Sequence, residues 1–426
     1  MPIRRLPLLS ALGLAASLAA ATLLAAALPA AAHAAEPAAR PLQPLIDATP
    51  PGATLALEPG TYAGPAVITR PMTLDGGGAA TLDNGGAGTV LTIDGTGVTV
   101  QNLRIVNSGR RQDMIDSGLL VRGRYNIIKD NVVENCLFGV NLQQADHTVV
   151  RRNRIGAQSA TLGERGDAIR LWYSMDNLVQ DNVAVGTRDL SVWYSNNNRI
   201  VGNRSTGARY GLRFMHAKHN LAERNVLERN MVGIFAIHSE GIQIRGNRIA
   251  HSGGSSGIGI GLKESDAITV AGNEVLANAT GLYIDVSPND PEAPNTIEGN
   301  RVAFNGVALR FHNDGEGNRI RGNDFLGNFG AVAVEGGGSA LRHEWAGNHW
   351  DTYEGFDRDG NGVGDSPFEV YTHADRLWMD LPVAQFFRAS PMLEMLDFME
   401  RLAPFGSPRL LMRDAAPAVR PVRGAS

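Results

Sequence analysis

The sequence predicts an all-β chain wound into a right-handed parallel β-helix, a solenoid with about 24 residues per coil. Two observations carry this prediction. Short segments end on asparagine at a regular spacing, and a stretch of alternating apolar residues lies between successive asparagines, as in 211–214 and 281–284. Such alternation is typical of a half-buried strand, and short strands repeating at this interval are typical of a parallel β-helix. The asparagines are Asn131, Asn153, Asn182, Asn203, Asn225, Asn247, Asn273, Asn300, Asn323 and Asn348.

These asparagines are expected at the corners of the coils. Asparagine tolerates left-handed backbone angles and bonds to its own neighbouring backbone. Stacked coils lie ~4.8 Å apart, so identical corner residues can also hydrogen-bond from one coil to the next. We therefore interpret the repeated asparagines as scaffold and not as a functional site.

Residues 1–34 have the features of a secretory signal peptide. Arg4 and Arg5 precede an apolar stretch, and the small-x-small sequence 32–34 fits a cleavage site. We expect export to the periplasm, although the long apolar stretch also leaves an uncleaved anchor open.

The composition excludes one class of partner. The net charge is −4, and the chain carries no basic patch of the kind that nucleic acid requires. The single cysteine, Cys136, rules out an intramolecular disulfide, and we interpret it as a buried core thiol.

Around the solenoid the sequence predicts closing segments, because a β-helix would otherwise expose its strand edges and core at each end. Leu42, Leu45 and Ile46 suggest a short amphipathic cap. Ser390 and Pro391 resemble the start of a helix. The predicted parts are a cap at 35–50, the β-helix with asparagine corners at 51–350, an acidic glycine-rich loop at 351–374, a helical C-terminal extension at 375–414 and a disordered tail at 415–426.

The acidic loop contains a candidate calcium site. Asp357, Asp359, Asn361 and Asp365 occupy positions 1, 3, 5 and 9 of a calcium-loop pattern, with Gly362 at position 6. Position 12 departs from that pattern because it is Phe368. A structural Ca²⁺ site and a metal-free cluster of Asx turns both fit these residues.

Alignment of successive coils produces a second candidate site. The segments that begin at Trp172, Trp193, Met215, Ile237 and Lys263 superimpose, which places His216 and His238 one strand spacing apart. Histidine and methionine are ligand types for copper, so Met215, His216 and His238 form a candidate copper site. A stacked aromatic and imidazole ladder without metal fits the same residues.

One face of the aligned coils carries projecting charged and aromatic side chains, and solenoids use such faces to bind partners. No nucleotide-binding loop, catalytic triad order or metalloprotease motif occurs. We therefore expect a protein that is not an enzyme. The alternative left open is a secreted carbohydrate-binding or polysaccharide-modifying β-helix, such as an epimerase or lyase. The predicted partner face is Trp172, Trp193, Arg213, Lys263, Glu264 and Asp285, and the acids and arginine beside it are Asp167, Asp189 and Arg170.

Several segments resemble the NosD family of periplasmic maturation proteins of nitrous oxide reductase. The repeats and the opening segment 48–62 are weak support, because they are common among pectate-lyase-like β-helix proteins. The C-terminal block is more specific: Gly355 to Asp365, Leu377–Trp378, and Ser390–Pro391 with the apolar residues up to Pro404. Segments 193–195, 261–266 and 283–288 also fit the resemblance.

This resemblance implies an accessory role. NosD-like proteins work in the periplasm with an ABC transporter permease and ATPase, and with a copper chaperone. Together they help to assemble the copper–sulfide centre of nitrous oxide reductase. Copper would bind transiently, and the membrane would be reached only through the transporter. The family pattern has histidine where this chain has Arg213, which leaves Met215, His216 and His238 as the residues to test.

Overall fold

A computed structural model describes residues 39–372, Met395, Met399 and 409–422 of this chain. The predicted signal peptide and most of the predicted helical extension lie outside these residues. Within them, no helix is long and apolar enough to cross a membrane.

Strands dominate the described residues. One α-helix, α1 (Gln43–Ala48), lies near the N-terminal end, and two short 3-10 turns occur at Leu162–Glu164 and Glu335–Gly337. The strands in chain order are β1 (Arg40–Pro41), β2 (Thr54–Ala56), β3 (Gly60–Ala63), β4 (Ala66–Ile68), β5 (Thr73–Asp83), β6 (Leu91–Asp94), β7 (Thr99–Val106), β8 (Ser117–Arg124), β9 (Ile127–Lys129), β10 (Val132–Cys136), β11 (Phe138–Asp146), β12 (Val149–Arg151), β13 (Arg154–Ala157), β14 (Ile169–Trp172), β15 (Leu178–Gln180), β16 (Val183–Val185), β17 (Asp189–Trp193), β18 (Arg199–Val201), β19 (Arg204–Thr206), β20 (Tyr210–Met215), β21 (Leu221–Glu223), β22 (Val226–Glu228), β23 (Val232–Ile237), β24 (Gln243–Arg245), β25 (Arg248–Ala250), β26 (Ile258–Lys263), β27 (Thr269–Ala271), β28 (Glu274–Leu276), β29 (Thr280–Asp285), β30 (Asn295–Glu298), β31 (Arg301–Ala303), β32 (Val307–Phe311), β33 (Asn318–Arg321), β34 (Asp324–Leu326), β35 (Gly330–Val334), β36 (Glu344–Ala346), β37 (His349–Trp350), β38 (Phe368–Thr372) and β39 (Arg409–Asp414).

These strands form a parallel β-helix, so the predicted fold class is confirmed. In the described residues a 12-stranded sheet stacks β4 to β35, and a 25-stranded sheet contains the two shorter strands of most coils. One coil, for example, consists of β20, β21 and β22. All pairings between coils are parallel, and residue Leu212 of β20 lies opposite Ile234 of β23. The core is made of such inward-facing rows, because alternate residues of a strand point to opposite faces.

A continuous ladder of side-chain amides joins the coils. Nδ2 of each repeated asparagine donates to Oδ1 of the asparagine in the next coil at 2.9–3.1 Å, from Asn131 to Asn348. All ten asparagines are at most 2% exposed. The last one, Asn348, donates to Oδ2 of Asp414 at 2.9 Å. A carboxylate can end this ladder because the last position only has to accept hydrogen bonds from Asn348 and has no further asparagine to donate to.

The backbone at these corners differs from the sequence-based expectation in one respect. The left-handed residue is the one before each asparagine, such as Arg224 (φ 52°) before Asn225 or Gly246 (φ 59°) before Asn247. The asparagine itself stays outside the left-handed region, and its amide lies inside the coil, where it reaches both neighbouring coils. Its scaffold role therefore comes from hydrogen bonding between coils and not from its own backbone tolerance.

The N-terminal end is covered by α1. Leu42 and Ile46 are at most 2% exposed, whereas Leu45, which the sequence placed on the same side, is 37% exposed. The guanidinium of Arg70 donates to the carbonyl oxygens of Ile46, Asp47 and Thr49 at 2.6–2.8 Å. These bonds satisfy acceptors that the end of a helix leaves unpaired.

The C-terminal end corrects part of the predicted domain plan. Residues 409–414 were predicted to belong to a helical extension, but they form β39, which pairs antiparallel with β38. Leu411 and Met412 are at most 1% exposed, because this strand covers the apolar end of the solenoid. Met395 and Met399 are helical and exposed, and the remainder of 373–408 lies outside the described residues.

The predicted disordered tail is also wrong for 415–422. Ala418 forms β-bridges with His349 and Val363, and its N–H donates to the Asn348 carbonyl oxygen at 2.9 Å. The small and proline-rich composition suggested disorder, but this segment supplies partners for backbone groups that the last coil leaves open.

A buried histidine near this end makes stability depend on pH. His343 is 5% exposed and stacks on Phe311 at 4.5 Å. Burial, with a further contribution from the charge of Arg342, lowers the pKa of His343 to about 4. An unfolded histidine titrates near 6.5, so below that pH the unfolded chain binds a proton that the folded chain does not. Stability should therefore fall by about 3 kcal/mol between pH 6.5 and pH 4.

Urea unfolding of the wild type and of His343→Asn at several pH values checks this expectation. Asparagine is chosen because the equivalent position one coil earlier is Asn318. The side chains of Asn318 and His343 are in contact. The stability difference between the two proteins should shrink or reverse as the pH falls. A difference that stays constant from pH 7.5 to 4.5 would contradict the assignment.

Candidate functional site

The outer face of the 12-stranded sheet gathers the side chains that the sequence singled out. Inward residues such as Phe214 are buried in the core, so Arg213 and Met215 on the same strand point outward. The strand register matches the alignment made from the sequence. It places in one row Trp172, Trp193, Met215, Ile237, Lys263 and Asp285.

The next residue of each coil forms what we call the corner column. All of its members are left-handed, with φ of 45–48°. Rings stack along it at centroid distances of 4.9–5.0 Å with interplanar angles of 3–12°. The members are Tyr173, Tyr194, His216, His238, Glu264 and Val286.

The two histidines of the corner column are brought together, as the sequence predicted, but in a stacked geometry. Their centroids are 4.9 Å apart and their planes differ by 12°. A metal ion binds an imidazole nitrogen in the plane of the ring, and near-parallel planes at this spacing do not share one ion. Nδ1 of His238 also lies 3.1 Å from Oε2 of Glu264. Binding one ion through both rings therefore requires at least one imidazole to rotate out of the stack.

The described residues contain no ready-made metal centre. Among the described residues, no group of three or more His, Cys, Asp or Glu side chains is arranged to hold a metal ion. Met215 is half-buried at the end of β20, directly before His216. It could add a thioether ligand to the two imidazoles.

At its Glu264 end the corner column is joined by ion pairs to neighbouring side chains of the same face. Nζ of Lys263 lies 2.5 Å from Oδ2 of Asp285 and 3.7 Å from Oε1 of Glu264. The hydrogen bond to Asp285 raises the pKa of Lys263. Three residues of the predicted partner face therefore form one network, and that network reaches His238 through Glu264.

Further along the same face lies a pocket that we call the charged cleft. It encloses about 150 Å³, between the sheet and two loops, 107–116 and 158–168, which Gln112 joins by donating to the Glu164 carbonyl oxygen at 3.1 Å. A neighbouring cavity of about 420 Å³ shares Gln112. The cleft is lined by Gln112, Ile115, Phe138, Asp167, Arg170, Arg188, Trp193 and Arg213.

Two buried carboxylates anchor the arginines of the cleft. Asp167 accepts from Arg188 Nε at 3.0 Å and from Ser191 Oγ at 2.6 Å. Asp189 accepts from Arg209 at 2.7 Å and lies 3.1 Å from Arg213 Nη2. Burial, and then the charge of Asp189, raises the pKa of Asp167.

Aromatic rings hold the remaining arginine. The guanidinium of Arg170 lies 4.7 Å from the ring centroid of Trp172 and 5.8 Å from that of Trp193, and Arg213 lies 5.0 Å from Trp193. Such contacts favour a cation over the ring face. Trp193 and Arg213 of the predicted partner face thus line the cleft, and Trp172 supports Arg170 from beside it.

Sequence reasoning did not single out Arg188, Ser191 or the loop residue Gln112. A signal for one of them was present: Arg188 follows Asp167 by about one coil length, so the register brings the two together. Gln112 reaches the cleft through the fold of an irregular loop, for which the repeat provides no guide.

In the acidic glycine-rich loop the four predicted calcium ligands lie in a series of turns. Asp357 accepts from the backbone N–H groups of Asn361 and Gly362 at 3.0 Å. Asp359 accepts from Asn361, and Asp365 from the N–H of Arg358. These contacts are compatible with Asx turns and also with a calcium loop, so the calcium site stays a prediction.

Comparison with known proteins agrees with this architecture. Residues 157–355 match the family model described as periplasmic copper-binding protein (NosD). Residues 79–227 match a right-handed β-helix region. Among solved structures, the A-modules of two mannuronan C-5 epimerases of Azotobacter vinelandii match with TM-scores of 0.55 and 0.53 at 16% and 14% identity, covering 68% of this chain and 89% and 91% of theirs. At this identity the likeness shows the fold alone.

Sequence relatives are more informative. The chain is 32% identical over 383 residues to a Pseudomonas aeruginosa protein named probable ABC transporter binding protein NosD, covering 86% of this chain and 88% of that protein. A protein of the same name from Stutzerimonas stutzeri is 33% identical over 114 residues, 26% of each chain. The match to the first relative spans nearly the full length of both proteins, and the chain therefore belongs to the NosD family.

Proposed function

We propose that this chain is a periplasmic accessory protein for the maturation of nitrous oxide reductase. It would work with an ABC transporter permease and ATPase and with a copper chaperone in assembling the copper–sulfide centre of the reductase. The observation that carries this proposal is the alignment, 32% identical over 86% of this chain, with a protein named probable ABC transporter binding protein NosD. The predicted signal peptide at 1–34 would deliver the chain to the periplasm.

Copper contact is proposed at Met215, His216 and His238. The family model is described as copper-binding, and the structure supports the location because both imidazoles lie on the outer face with Met215 beside them. The side chain of His238 is 37% exposed, so a chaperone could reach it. The stacked rings favour a transient site, because capture of an ion would break the stack and release would restore it.

Cu(I) titration of the purified protein tests this site. The double variant Met215→Leu/His238→Asn keeps the volume at 215 and a residue that tolerates φ near 47° at 238. We expect its Cu(I) affinity to fall at least tenfold, since it removes two of the three proposed ligands. The matched control is His147→Asn, an exposed histidine that is also left-handed (φ 49°) and stacks on Tyr125. Equal affinities in all three proteins would remove the site.

Reconstitution in cells tests the role itself. A strain that lacks the chain should accumulate reductase without its copper–sulfide centre, and the wild-type gene should restore it. Restoration by a plasmid that encodes the Met215→Leu/His238→Asn protein would separate the accessory role from this copper site. The carbohydrate alternative predicts activity on alginate or pectin instead, and such activity would overturn the proposal.

A further inference from the structure

The charged cleft contains more positive charge than its acids compensate. Arg188 is paired with Asp167, and Arg209 and Arg213 share Asp189. Arg170 completes the group, and its guanidinium makes no hydrogen bond or ion pair with any of the described residues. Its guanidinium rests instead on two indole rings. Four arginines therefore surround two buried carboxylates.

Hydrogen-bond donors remain unused at the same place. Within the part of the chain that the structure describes, three buried nitrogens on residues lining the cleft have no acceptor: Arg170 Nη1, Trp193 Nε1 and Arg213 Nε. Buried N–H groups are nearly always paired in folded proteins. The local carboxylates are already engaged by Arg188, Ser191, Arg209 and Arg213. An acceptor from outside the described residues, either a bound ligand or an ordered water, would complete these groups.

The charges around Arg170 indicate that the bound group is negative. Burial lowers the pKa of Arg170, and the positive charges of Arg188 and Arg213 lower it further. The negative charge of Asp167 raises it. A negative group in the cleft would compensate the charge of Arg170 and accept from its N–H groups, and charge-assisted bonds of this kind are among the strongest in proteins. A cation in the cleft would be repelled by the excess positive charge of the arginines.

We propose that the charged cleft binds a compact oxyanion, held by Arg170, Arg213 and the indole N–H of Trp193. The volume of about 150 Å³ suits a tetrahedral inorganic oxyanion or the carboxylate end of a small molecule. The adjoining cavity of about 420 Å³, which shares Gln112, has room for the remainder of a larger ligand. Binding requires rotations of these side chains that present their buried N–H groups to the cleft. The proposed oxyanion site adjoins the corner column but uses none of Met215, His216 and His238, so its binding does not depend on copper.

Isothermal titration of the full chain without copper tests the proposal. The probes are inorganic phosphate, sulfate and the monosaccharide galacturonate, each matched to chloride at the same ionic strength. We expect saturable binding of at least one probe, reduced at least tenfold in Arg170→Gln. The control is Arg245→Gln, which removes an exposed arginine from the other sheet and should leave the affinity unchanged. Preference for an inorganic probe or for galacturonate identifies the source of the oxyanion group.

A second variant keeps the test decisive if Arg170→Gln should fold poorly. Trp193→Phe retains an aromatic face for the arginines but removes the indole N–H, and we expect it to weaken binding several-fold. Melting temperatures in chloride report whether each variant is folded. No binding of any probe by the wild type overturns the proposal. So does binding that chloride reproduces at equal ionic strength, or affinity that is unchanged in both folded variants.

Discussion

Replacing Asn225 by alanine should lower the free energy of unfolding by about 4 kcal/mol. Its Oδ1 accepts from the backbone N–H and from Nδ2 of Asn203 at 2.9 and 3.1 Å. Its Nδ2 donates to the Ile200 carbonyl oxygen at 2.8 Å and to Oδ1 of Asn247 at 2.9 Å. The residue is 1% exposed, so water cannot replace these bonds, and a loss of about 1 kcal/mol for each is expected.

The effect should also interrupt the cooperation between coils, because each coil is stabilised mainly by its neighbours. Chemical denaturation followed by circular dichroism measures both the midpoint and the slope of the transition. Asn313→Ala is the control, since Asn313 is exposed in a loop and its removal should change stability by no more than about 0.5 kcal/mol. Similar losses in the two variants would show that the ladder contributes little.

Asp189→Asn should destabilise the protein by about 3–5 kcal/mol. The side chain is 0% exposed, and its carboxylate is shared by Arg209 and Arg213. Asparagine preserves the shape but not the charge, which leaves two guanidinium groups without their counterion. Part of the loss should be offset at Asp167, because the charge of Asp189 is one of the causes that raise the pKa of that carboxyl group.

The contrast with an exposed pair makes this prediction specific. Glu274 lies 3.0 Å from Arg248, but its side chain is 40% exposed. Glu274→Gln should therefore cost less than about 1 kcal/mol, because solvent screens a surface pair. Urea denaturation of both variants measures the difference. Asp189→Asn with a loss no greater than that of Glu274→Gln would mean that the buried cluster is not held together by its charges.

The coil register was predictable residue by residue. Identical residues at equivalent positions, such as Trp172 and Trp193, allowed the coils to be aligned, and the pairing Trp193 with Met215 follows from that alignment. In a solenoid each coil lies on the previous one, so the spacing along the chain converts directly into contact in space. The same reasoning correctly brought His216 and His238 together.

The errors occur where the repeat stops. A helical extension was predicted to 414 and disorder from 415, yet residues 409–414 form a strand and Ala418 pairs with the last coil. The conformation of these residues is determined by the need to cover an exposed sheet edge and an exposed core. That need depends on contacts with distant segments, and local propensity does not encode it.

The sequence by itself determined the solenoid, the asparagine ladder and the alignment of side chains on the outer face, because all three follow from one short repeat. The tertiary structure alone decided how those side chains are oriented and what surrounds them. It stacked the imidazoles of His216 and His238 instead of aiming both at one ion. It also folded two irregular loops over Arg170 and Arg213 to make the charged cleft. Ring orientation and loop placement depend on packing in three dimensions, to which a periodic pattern is insensitive.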